Sequence, residues 1–71
     1  MSNDQNASNG FAFLTGHLWS TIKYDNKLDA VSRKRLLEAL IEVHHRFPIS
    51  ISERYLTEFN EFMETLSSNN S

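Results

Sequence analysis

Three histidines, nine acidic residues and no cysteine limit the chemistry open to this 71-residue chain. Without a thiol there is no disulfide, no thiolate zinc site and no cysteine nucleophile. His44 and His45 are neighbours in sequence, and on a helix neighbouring side chains point about 100° apart, so the two do not share one ion. Glu38, Glu42 and His45 fall at i, i+4 and i+7, the one spacing in the chain suited to zinc or another divalent cation. They lack a fourth ligand, and exposed stripes of this composition are ordinarily solvated faces, so no metal and no cofactor is expected. Catalysis has as little support. There is no glycine-rich phosphate loop, no nucleophile elbow and no paired acidic motif, and the serines collect in the chain ends and at helix starts. A non-enzymatic protein is expected.

Arg33, Lys34 and Arg35 form the one basic cluster. They fall early in a helical segment, where positive charge opposes the helix dipole, and that placement invites a functional use. A DNA-binding transcriptional regulator contacting phosphates through these three residues is the alternative function. Against it, Lys34 and Arg35 each have Glu38 within helical reach, and Glu42 has Arg46, which makes an ordinary salt-laced surface. The net charge of −2 and isoelectric point near 5.8 also give no overall attraction for a polyanion. No segment offers the basic recognition face that groove reading requires, so nucleic acid is not the expected partner.

The elements that would carry these residues follow from periodicity. From Ser52 to Leu66, the residues Tyr55, Leu56, Phe59, Phe62, Met63 and Leu66 gather into an arc about 120° wide, with Glu53, Glu58, Glu61 and Glu64 outside it. This is an amphipathic helix with an aromatic inner face. Ser50 with Glu53 has capping-box spacing, and Ser52 is the other candidate cap, with Ile51 and Leu56 as its staple. Pro48 ends the preceding helix near Arg46 or Phe47. That helix starts at about Asp29, a suitable cap. Its apolar residues Leu36, Leu37, Leu40, Ile41, Val43, His44 and Phe47 span about 160°, wide enough to touch more than one neighbour. A short turn makes these two helices an antiparallel hairpin.

The stretch FAFLTGHLWSTIKY, Phe11 to Tyr24, is aromatic and β-branched enough to suit a hairpin turning at Gly16-His17. The helical alternative is favoured, because Phe11, Leu14, Leu18 and Ile22 share one face, and Ser8 or Asn9 can cap it. A helix here has a second stripe, Phe13, His17, Ser20 and Tyr24, opposite the first. One helix does not turn both faces inward, and two aromatics on an outer face mark an association surface unless the segment is sandwiched or folded as a hairpin. Trp19, at the margin, suits a core anchor or an interface hot spot, with the core preferred. The acidic outer face of the last helix, Glu58 and Glu61 with Glu64, is a solvated surface or a contact for a basic partner.

Both ends are small and polar. Residues 1–10 and 67–71 are read as disordered tails around a helical domain spanning 11–66. The expected fold is all-α, a three-helix domain built on an antiparallel hairpin. A core this small often needs a second subunit, so a homodimer is expected. No apolar run approaches the roughly 20 residues that span a bilayer, and the amino terminus has no leader pattern, so a cytoplasmic location away from membranes is expected. The function that remains is a small protein-binding regulator, adaptor or inhibitor, of the kind bacterial and phage accessory proteins provide. Its contact surface is Phe13, His17 and Tyr24, with Glu58 and Glu61 beside them, and the partner's identity is not written in the residues.

Overall fold

The computed structural model describes the backbone of residues 2–69 and the side chains of residues 6–68. It consists of three α-helices: α1 (Ser2–Tyr24), α2 (Ala30–Arg46) and α3 (Ser52–Asn69). The Phe11 to Tyr24 stretch is helical throughout, so the hairpin alternative does not apply. Both outer helices run past the expected domain limits at Phe11 and Leu66. Extending an established helix costs far less than nucleating one, and the first ten residues contain no proline to stop it. The expected tails fall partly outside the described residues, at Met1 and at 70–71.

Local chemistry sets the boundaries of α2. The Asp29 side chain accepts a hydrogen bond from the Ser32 amide at 2.7 Å, as an N-cap should. That amide, together with Arg33 and Arg35, holds the Asp29 carboxyl below its ordinary pKa. At the other end the Phe47 N–H donates to the Val43 carbonyl, and Pro48 then breaks the ladder. The α1–α2 corner is closed by Asp25, whose carboxylate accepts from the Lys27 amide at 2.9 Å. It is also closed by Arg33, whose guanidinium donates to the carbonyls of Ile22, Asp25 and Leu28.

α2 packs against both neighbours. The core consists of Trp19 and Ile22 from α1, Leu37 and Leu40 from α2, and Phe59 from α3, with Tyr55, Leu56, Phe62, Met63 and Leu66 around it. The inner face of α3 is therefore the six-residue arc that its periodicity predicts. The inner face of α1 is not. Thr15, Trp19 and Ile22 are the residues buried there, whereas Leu14 and Leu18 remain about half exposed. The indole decides the rotation. Trp19 packs edge-on to Phe59 and Phe62, at centroid distances of 4.9 and 5.4 Å, and turning it inward swings Leu14 and Leu18 to the flank of α1.

One polar cluster runs through this core. His44 is fully buried, with Nε2 2.8 Å from the Thr15 hydroxyl on α1 and Nδ1 2.6 Å from the Ser52 hydroxyl at the start of α3. Ser52 Oγ also accepts from the Ile49 amide at 2.9 Å, so its own proton is free to go to Nδ1. In the neutral ring one nitrogen donates and the other accepts, so the imidazole bridges the Thr15 and Ser52 hydroxyls. Every nitrogen of the ring is thereby satisfied by a different helix. The Ser52 hydroxyl consequently faces inward rather than capping α3, as the second of the two candidate caps would.

Candidate interaction surface

The expected outer stripe of α1 is present on the surface. Phe13 and Tyr24 are 66% and 74% exposed, and His17 is exposed with its ring set edge-on to Phe13 at 4.5 Å. The stripe lies on the opposite side of α1 from Thr15, Trp19 and Ile22, as a 3.6-residue period requires. The shallow depression beside Phe13 and His17 is lined by Ala12, Phe13, Gly16, His17 and Ser20.

Glu58 and Glu61 are not brought into this stripe. Glu58 is half-buried at the junction of α1 and α3, where it accepts the Trp19 Nε1 proton at 3.0 Å and sits 3.8 Å from Arg54. Its role is to satisfy an indole N–H whose ring is buried. Lys23 links the two regions, with its ammonium 4.9 Å from the Trp19 ring and 5.0 Å from the Tyr24 ring. Glu61 is exposed on α3.

A second, more apolar opening lies on the flank of α1 facing α2, and it was not singled out from the sequence. It is a groove of about 220 Å³ lined by residues of α1 and α2, among them Leu14, Leu18, Leu36, Ala39 and Val43, with a nearly complete absence of polar atoms. The signal was present in two places. The 160° apolar arc of α2 was too wide for one neighbour, and the Leu14/Leu18 pair lay adjacent to the indole on α1. What concealed it was the assignment of Leu14 and Leu18 to the core.

The basic cluster is divided by the fold. Arg33 is half-buried and committed to three carbonyls, while Lys34 is partly buried and Arg35 is exposed. Among the described residues neither Lys34 nor Arg35 lies within ion-pair distance of Glu38, whereas Glu42 does pair with Arg46 at 2.8 Å. Glu38, Glu42 and His45 are all exposed on α2, and among the described residues no three histidine or acidic side chains converge on a common point.

No protein-family model, curated protein or solved structure matches the chain. No helix among the described residues is long and apolar enough to cross a membrane.

Proposed function

We propose that the chain is a small, non-enzymatic protein-binding module, a regulator, adaptor or inhibitor that docks on a partner protein through the outer stripe of α1. The observation that carries this reading is the exposure of Phe13 and Tyr24 on the side of α1 that the core does not use. Aromatic side chains supply large contact area at low entropic cost, and they concentrate at the centres of protein interfaces. Behind the stripe α2 packs against both α1 and α3 and so holds α1 in place, and the setting proposed for the module is the cytoplasm.

Alanine at Phe13 and Tyr24 together is expected to abolish partner binding and leave helicity unchanged, because both rings are mostly solvated in the isolated chain. The check is quantitative capture from native extract with the wild type and the double variant side by side, with circular dichroism on each. A set of captured proteins identical for the two would end the proposal.

A further inference from the structure

A single copy of the chain is under-buried. Among the described residues, five apolar side chains are buried, while eight large ones are exposed, including Leu14 at 59%, Leu18 at 46%, and Leu36 and Val43 at 39% each. Those four lie together. They form the walls of the groove between α1 and α2, and no residue of α3 contributes to its lining. Among the described residues α1 and α2 thus make a two-helix layer with α3 on one side and nothing on the other.

We propose that a second copy of the chain covers this face, the α1–α2 layer of one copy packing on that of the other about a two-fold axis to complete a four-helix core. Chemistry favours a copy over an unrelated occupant. The lining holds no charged side chain and almost no polar atom, so a charged or hydrogen-bonding partner has nothing to recognise. An isologous contact matches this face with another that is equally uncharged. A net charge of −2 per chain adds little repulsion.

The size also fits. The 17 residues of α2 span about 25 Å at 1.5 Å per residue. Two helices about 10 Å apart present a face roughly 20 Å across. The projected area is on the order of 500 Å² per partner, close to the roughly 600 Å² per partner at the lower end of stable interfaces. The dimer leaves Phe13, His17 and Tyr24 on the outside, so this inference does not depend on the function proposed for them.

Molar mass by light scattering and sedimentation equilibrium on the full chain tests it. The wild type is expected at twice the chain mass. Leu14→Glu and Ala39→Glu are each expected to halve that value with helicity retained. Ala39 is an exposed helical position in the groove, where glutamate is tolerated locally, so it decides the matter if Leu14→Glu fails to fold. The Phe13→Ala/Tyr24→Ala variant is expected to stay dimeric. A wild type at single-chain mass at the highest soluble concentration overturns the proposal. So does a dimer that survives Ala39→Glu, or one that dissociates with the outer-stripe variant.

Discussion

The imidazole of His44 has a hydroxyl from α1 on one nitrogen and a hydroxyl from α3 on the other, and the Phe11 ring stacks on it at 4.5 Å. Tyr55 and Phe59 complete its surroundings, so among the described residues no acidic side chain touches it to stabilise a positive charge. Burial accordingly pushes its pKa below the ordinary histidine value. The sign for stability follows. Above about pH 6.5 the ring is neutral in both folded and unfolded chains, and it imposes no pH dependence. Below that, the unfolded chain takes up a proton that the folded chain refuses, so stability falls with pH until the lowered folded pKa is passed. The slope from this one group is at most about 1.4 kcal/mol per pH unit. Urea unfolding between pH 7.5 and 5 is expected to show this loss, and His44→Gln, which does not titrate, is expected to lack it. Equal slopes for the two proteins would remove His44 as the cause. The sequence placed His44 inside an apolar arc, where a hydrogen-bonded position at the core boundary is the usual outcome, and the structure buries it fully. Its partners were not legible, because Thr15 and Ser52 are short polar residues that come from distant segments and carry no periodic signal.

At the scale of the helices, legibility tracked the width of the apolar face. α3 has a narrow stripe flanked by glutamates, and only one orientation buries it. α2 has a recognisable cap at Asp29 and a stop at Pro48, both of which the structure retains. α1 carries apolar or aromatic side chains almost all the way round, so its rotation depended on which group lost most by staying in water. The large indole of Trp19 outweighed Leu14 and Leu18, each smaller by several carbons. Gly16 belongs to the same helix, and its presence has no conformational reason, since its φ is not positive. A Cβ built there meets the Tyr55 hydroxyl at 3.6 Å, an ordinary contact. Gly16→Ala is therefore expected to stabilise the protein by about 0.5–1 kcal/mol through the reduced entropy of the unfolded chain. A thermal melt that moves upward confirms that the methyl is accommodated; a downward shift would mean that α1 sits closer to α3 than a 3.6 Å contact implies. Arg33 shares a run of basic residues with Lys34 and Arg35. Its neighbours in sequence suggested a surface cluster, but the carbonyls left open at the end of α1 and in the following loop take up its donors.

The whole molecule measures 48 × 21 × 15 Å, a long and thin shape with little interior. The all-helical class was evident from periodicity, whereas the existence of an uncovered side was not, because a wheel shows how wide a face is and not how much of it a neighbour covers. If a second copy covers the α1–α2 layer, folding and association are linked by mass action, and the melting temperature rises with protein concentration. Calorimetry over a hundredfold range of concentration is expected to show that rise for the wild type and its absence for Ala39→Glu. A flat response in both would detach folding from assembly. Trp19 also offers a means of watching the molecule. It is the only tryptophan in the chain, and it reaches from α1 to α3 into the Phe59 and Phe62 rings, with its N–H on Glu58. Its emission therefore reports at one point whether the first helix is seated. A red shift during denaturation that comes before the loss of far-ultraviolet ellipticity would reveal a state with that helix swung free and the other two still paired. Coincident changes would show that the three helices come apart in a single step.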